Sequence, residues 1–149
     1  MTDNAVKTGF DLKKNNLSAI AEAGHEFQVT LPEVGTKVPI WIKVRGDKSP
    51  QSIAFQKRHF NTQQQKETIA KRKKTDVTPM TMDDLDELLR DTAVVRTISW
   101  RGVEEDGKVV PFSVENAARI YEEHTWLRDL VIQESNLISN FLGRDDTAK

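Results

Sequence analysis

Residues 26–50 read EFQVTLPEVGTKVPIWIKVRGDKSP, and this stretch decides the fold class. In Glu26-Phe27-Gln28-Val29-Thr30-Leu31 the apolar residues alternate, and Val38, Ile40, Ile42 and Val44 do the same in the next segment. A period of two predicts a pair of strands, each with one buried face. The intervening Pro-Glu-Val-Gly-Thr-Lys supplies a turn, so the pair is a hairpin whose loop is slightly longer than the commonest. Pro39 has no N–H to give to a ladder, which puts its strand at an edge or starts its pairing beyond that residue. The end of the stretch announces a different structure. Ser49 can cap free amides and Pro50 is preset for the first helical position. A hairpin that hands over to a helix makes the chain α+β, with an N-terminal β-hairpin or small sheet followed by a mainly helical C-terminal half.

Working outward toward the N-terminus, residues 17–23 allow a short helical turn stopped by Gly24. Residues 1–16 hold only Val6, Phe10 and Leu12 as large apolar groups and read as a flexible arm. Toward the C-terminus, residues 51–74 form a long polar helix. Its apolar residues Ile53, Ala54, Phe55, Phe60, Ile69 and Ala70 are too few for a continuous buried stripe, so much of it should face water or a partner. The run Asp76 to Pro79 breaks it. Thr81-Met82-Asp83-Asp84 resembles a capping box with Asp in place of Glu, and Leu85, Leu88, Leu89, Thr92, Val95 and Ile98 continue at helical spacing. Asp106-Gly107 marks a turn within Trp100 to Phe112. Trp100 and Phe112 are expected to flank this acidic loop and clamp the final helices to the Leu85-Leu88-Leu89 helix. Ser113 caps a helix over 114–123. Thr125 starts the last one, in which Leu127, Leu130, Val131, Ile138, Phe141 and Leu142 keep the period until Gly143. The expected organisation is one α+β domain over residues 17–142, between the arm 1–16 and a polar tail over 143–149.

A length of 149 residues suits one domain with a respectable core. Lys plus Arg number 22 against 23 Asp plus Glu, so a formal net charge of -1 provides no global attraction to nucleic acid or membrane. The absence of cysteine excludes disulfides and thiolate chemistry and predicts a reducing compartment. A polar N-terminus and the lack of any run near the roughly 20 apolar residues of a membrane span predict a protein that stays where it is made. His25, His59 and His124 fall in three separate elements without a metal-ligand spacing, and phosphate-loop, dinucleotide and nucleophile-elbow motifs are missing. The reading is a protein without catalytic residues, metal or cofactor.

Charge is unevenly distributed. Lys48, Lys57, Arg58, Lys66, Lys71, Arg72, Lys73 and Lys74 stand against the single acid Glu67, and Lys71 to Lys74 are the candidate basic contact for phosphates. The next segment, Asp76 to Asp91, is acidic except for Arg90, so a solvated or internally paired face is preferred to nucleic-acid binding. No stacking aromatics accompany the basic run. Asp83, Asp84, Asp86 and Glu87 occupy the first turns of a helix, where the macrodipole favours carboxylates without any metal. Glu104, Glu105 and Asp106 read as a solvated loop tip. Trp41, Trp100 and Trp126 are expected to be core anchors.

One family resemblance is carried by Ile98-Ser99-Trp100-Arg101-Gly102-Val103, the charged turn after it, Val110-Pro111-Phe112-Ser113-Val114-Glu115-Asn116, Ile120-Tyr121, Trp126-Leu127-Arg128 and Asn140-Phe141-Leu142. This segment, about a third of the chain, resembles the tail assembly chaperones of long-tailed, siphovirus-like bacteriophages. A β-rich N-terminal half followed by a polar, basic helix also looks like that family. The resemblance implies a non-enzymatic protein of the host cytoplasm that binds the helical tape measure protein, keeps it soluble and helps tail tube protein assemble around it. Members of that family leave before the tail is finished, and many have a second, frameshifted form. A homo-oligomer is compatible with this role. Because the last helix has apolar residues nearly sufficient for two contacts, Trp126, Leu127, Leu130, Ile138 and Phe141 form the candidate partner-binding set. The alternatives are a structural virion protein of the head-tail or tail, and a nucleic-acid-binding module.

Overall fold

The alternating stretch forms β1 (His25–Thr30) and β2 (Lys37–Val44), antiparallel, with Phe27 opposite Ile42 and Gln28 opposite Trp41. These and all following details come from a computed structural model, which describes residues 9–76 and 79–141. Before the hairpin lies α1 (Leu17–Ala23), whose cap Asn16 accepts hydrogen bonds from the amides of Ser18 and Ala19. The expected arm lies outside the described residues over 1–8. Leu142 and the expected tail 143–149 lie outside them as well.

After the hairpin come α2 (Pro50–Arg72), α3 (Met82–Arg96), β3 (Thr97–Arg101), the short strands β4 (Glu104–Glu105) and β5 (Lys108–Val109), α4 (Val114–Glu123), α5 (Thr125–Asn136) and a 3-10 turn (Ile138–Asn140). The chain is α+β, as the alternation and the Ser-Pro helix start indicated. The third strand of the main sheet escaped the sequence reading, as did the short pair β4 and β5. β3 pairs antiparallel with β2 and makes a three-stranded sheet in the order β1-β2-β3, so the C-terminal half completes the N-terminal sheet. Ile98 is therefore a strand residue and not the last turn of α3. Pro39 consequently belongs to the central strand, which overturns the edge option. The β2–β3 pairing begins at Trp41, beyond Pro39, and the β1–β2 register is irregular between Gln28 and Thr30. Gly102 ends β3 at φ +89°, where an added Cβ would lie 2.0 Å from the Pro39 carbonyl oxygen; only glycine permits that approach.

The inner sheet face carries Phe27, Val29, Ile42 and Val44. It is covered by Ala93 and Val94 of α3, Ala117, Ile120 and Tyr121 of α4, Leu127 and Val131 of α5, and Phe141. Tyr121 is fully buried, and its hydroxyl lies 2.7 Å from Thr97 Oγ1, which itself donates to the Ala93 carbonyl. Burial pushes the phenol's pKa up, so it stays a neutral donor. Ser113 caps α4 by accepting from the Asn116 amide. No helix among the described residues is long and apolar enough to cross a membrane.

The last helix is shorter than its periodicity suggests. α5 stops at Asn136, Leu137 is extended, and the Asn140 side-chain Nδ2 donates to the Glu134 carbonyl at 2.9 Å, satisfying an acceptor that a continuing helix would have used. The chain thereby turns back and buries Phe141 beside the His25 ring, with centroids 6.0 Å apart.

Of the tryptophans, Trp100 and Trp126 are partly buried against the core. Trp41 departs from the expected anchoring role: it alternates with Ile42 onto the outer sheet face, where Arg101 lies 4.8 Å from its ring and pairs with Glu26. Trp100 meets Phe112 and Tyr121 edge to face and donates from Nε1 to the Val110 carbonyl at 2.8 Å. It thus locks β3 and the segment after β5 onto α4. Trp100→Ala should lower stability by about 3 kcal/mol, the lower end for a large aromatic because the ring is only partly buried. A urea denaturation midpoint equal to that of the parent protein would refute this locking role.

Candidate functional site

Gly46, Ser49 and Ser52 prepare the site by fastening one end of α2. Ser49 Oγ accepts from the Ser52 amide at 3.1 Å and donates to Ser52 Oγ at 2.8 Å; Ser52 Oγ in turn donates to the Gly46 carbonyl at 2.9 Å. Both serines are completely buried. The Gly46 amide donates to the Ala21 carbonyl, and a Cβ at Gly46 would lie 2.7 Å from that of Ala21, so α1 closes the joint. Beyond this joint the helix runs beside α3. Ser52 is the one buried residue among the 23 of α2. The expectation that much of this helix stays outside the core is met.

The helix ends at Arg72, two residues before the position expected from sequence. Lys74 takes a left-handed conformation (φ +55°), with its amide bonded to the Lys71 carbonyl and that of Thr75 bonded to the Ala70 carbonyl. This is a Schellman ending with lysine where glycine is usual. α3 then starts at the capping box. Thr81 Oγ1 accepts from the Asp84 amide at 3.1 Å, and the Asp84 carboxylate accepts from the Thr81 amide at 3.0 Å.

Between α2 and α3 lies an open groove of about 830 Å³. Phe55, Ile69, Ala70, Met80 and Leu88 supply apolar surface, with Ile69 50% and Met80 49% exposed. Arg58, Lys66 and Lys73 line it from the α2 side and Asp84, Glu87 and Asp91 from the α3 side. Among the described residues no ion pair crosses it. Arg90 instead gathers Glu87, Asp91 and Glu122, while Arg128 pairs with Asp86 and Asp129. The nearest thing to a crossing interaction is the pull of Lys66 on Asp84, acting through space.

The candidate partner-binding set is dispersed. Leu127 and Phe141 are buried in the core, Trp126 and Leu130 pack partly against it, and Ile138 is 44% exposed on the 3-10 turn. Leu127 and Phe141 therefore cannot present a binding face without opening the domain. Lys71, Arg72, Lys73 and Lys74 are all exposed at the far end of α2, and Lys73 reaches the groove. Sequence reasoning missed the groove. A usable signal existed: Phe55, Thr62 and Ile69 recur every seven residues and mark one face of α2, and all three line the groove.

Folding also gathers Glu105, Glu123 and His124, whose ligand atoms lie within 4.8 Å of one another, a juxtaposition that sequence distance conceals. Arg119 already occupies both carboxylates, at 2.8 Å to Glu105 and 3.6 Å to Glu123, which makes the group an ion-pair cluster rather than a metal centre.

A family model described as "YdaY prophage protein" matches residues 47–148, more than two thirds of the chain, including both walls of the groove. No curated protein and no solved structure matches the chain.

Two measurements test the groove's supports. Ser52→Ala leaves the buried Ser49 hydroxyl without its acceptor, although the Gly46 carbonyl keeps the Ser49 amide, so stability should fall by about 1–3 kcal/mol; an unaltered chemical denaturation curve would show that the joint does not hold α2. The hydrogen bond from the Thr81 amide, foremost, holds the Asp84 carboxyl below the usual carboxylate range. A pKa lowered in the folded state gives stability that is present above the unfolded value, about 3.9, and lost as pH falls through the folded one. Acidification below about pH 4 should thus weaken α3 more in the parent protein than in Asp84→Asn, which cannot titrate there. Parallel acid titrations followed by circular dichroism would reveal identical curves if the box is unimportant.

Proposed function

This chain belongs to the YdaY prophage protein family, and on that premise we propose that it is a tail assembly chaperone, a non-enzymatic protein that binds the tape measure protein in the host cytoplasm and promotes assembly of tail tube protein around it. The observation that carries the reading is the polar 23-residue α2, fastened to the domain through its first turn and bordering a groove with exposed Ile69 and Met80. A long helical client has apolar stripes that need cover until the tube encloses them, and a groove between two helices covers such a stripe by helix-in-groove packing. Phage origin, a groove between two helices and the resemblance in residues 97–142 all support this role. In this reading α2 and α3 form the client surface, because the apolar residues Leu127 and Val131 of α5 serve the core.

Coexpression with the tape measure protein from the same prophage should keep that protein soluble. Ile69→Glu combined with Met80→Glu should weaken the association at least about tenfold, since burying either carboxylate against an apolar stripe is costly, while the denaturation midpoint stays unchanged. A client equally soluble alone, or a double variant that binds as well as the parent, defeats the reading. Mass spectrometry of purified particles adds a separate check: the chaperone is absent from finished virions, and stoichiometric presence would make the chain a structural virion component instead.

A further inference from the structure

We propose that the α2–α3 groove selects its occupant by the sign of charge on each flank, taking an amphipathic partner helix whose apolar seam is bordered by acidic side chains along one edge and basic side chains along the other. The inference rests on the docking reading above and adds the chemistry by which the occupant is recognised. Arg58, Lys66 and Lys73 line one side. Their spacings of eight and seven residues, at 1.5 Å per residue, extend the cationic row over about 22 Å, or four helical turns. Asp84 and Glu87 line the other side, joined one turn further on by Asp91. They recur at i, i+3 and i+7 and so share one face of α3. Phe55, Ile69, Met80 and Leu88 supply the apolar surface on which a seam can rest.

Opposite charges that faced each other across an intramolecular contact would ordinarily close into ion pairs. Here none does among the described residues, although Lys66 is near enough to favour the ionised form of Asp84. Arg90 partly offsets Glu87 and Asp91 without crossing the groove. The two sides therefore stay apart in sign and in space, and a helix lying between them meets cations on one flank and anions on the other. A helix with like charge on both flanks is attracted by one side and repelled by the other. A helix with mixed flanks is attracted by both, in one direction only, because reversing it exchanges its flanks. The groove thus sets the polarity of the bound helix as well as its identity.

Three synthetic helical peptides of about 21 residues test this, a length that spans roughly 30 Å. They share one leucine seam and carry flanks of Glu and Lys, Lys and Lys, or Glu and Glu. Binding to the full chain is read by fluorescence anisotropy. The mixed peptide should bind about tenfold tighter than either uniform one at low salt, from a few exposed pairs each changing affinity about two- to fivefold. The advantage should vanish near about 1 M salt, where the screening length is about 3 Å. Glu87→Lys with Asp91→Lys, which spares the capping box, should shift the preference to the Glu-flanked peptide. The reciprocal Arg58→Glu with Lys66→Glu should shift it to the Lys-flanked peptide and keeps the test decisive if the first variant does not fold. Equal binding of all three peptides by the parent protein overturns charge selection but leaves the docking reading standing. Failure of all three to bind overturns the inference, and the coexpression experiment then judges the docking reading by itself.

Discussion

Everything distinctive about this chain depends on two buried hydroxyls. Ser49 and Ser52 are completely enclosed, and the path from Ser49 Oγ to Ser52 Oγ to the Gly46 carbonyl leaves neither hydroxyl without an acceptor. A buried hydroxyl without a partner would cost about 1–3 kcal/mol, so the arrangement is one the fold must either complete or abandon. Completing it fixes the direction in which α2 leaves the sheet. The same loop is held by the Asp47 amide on the Ser135 carbonyl and by Ser135 Oγ on the Arg45 carbonyl, so α5 takes part in the joint. The long helix can then be polar along nearly its whole length, because its orientation is set at its base and not by an apolar stripe.

How much of this could be read in advance depended on whether a signal was local. The hairpin, the Ser-Pro start of α2, the Thr81 box and the Ser113 cap each reside in a few consecutive residues, and each was legible. β3 was not, because Thr97 to Arg101 is short and follows a helix without a break; only its pairing with β2, more than fifty residues earlier, defines it. The end of α5 was misjudged for a related reason. Ile138 and Phe141 keep a helical period, yet the Asn140 bond to the Glu134 carbonyl competes successfully with helical continuation. Periodicity indicates which residues seek the core and says less about the backbone path that brings them there.

The candidate site shows the same limit. Leu127 and Phe141 belong to the most apolar part of the chain, and the assumption that α5 had apolar surface to spare placed them at a partner face. The sheet needs that surface: α3, α4 and α5 together cover one face of only three strands, and Leu127, Val131 and Phe141 are consumed in doing so. Exposed apolar groups that border a groove are found instead on α2 and in the connection to α3, at Ile69 and Met80. A single exposed apolar residue means little, whereas several that line one groove form a patch that packing the domain does not account for.

Among the described residues, the opposite charges of the two helices stay unpaired across the groove. Reading the sequence alone, a basic helix followed by an acidic one suggests mutual screening, and screening would have removed both from consideration as a binding surface. The structure separates the possibilities by distance. Glu87 and Asp91 turn to Arg90 on their own helix, and Asp86 turns to Arg128 on α5, so the acidic wall is organised from behind while Arg58, Lys66 and Lys73 border the groove opposite. Had α2 collapsed onto α3, Lys66 and Asp84 would have formed an exposed ion pair worth at most about 1 kcal/mol. So weak a gain does not hold two helices together without an apolar seam, and α2 supplies too little of one by itself. A partner helix that brings its own seam adds what the pair lacks, and the same deficit that keeps the groove open makes it selective for an occupant able to fill it.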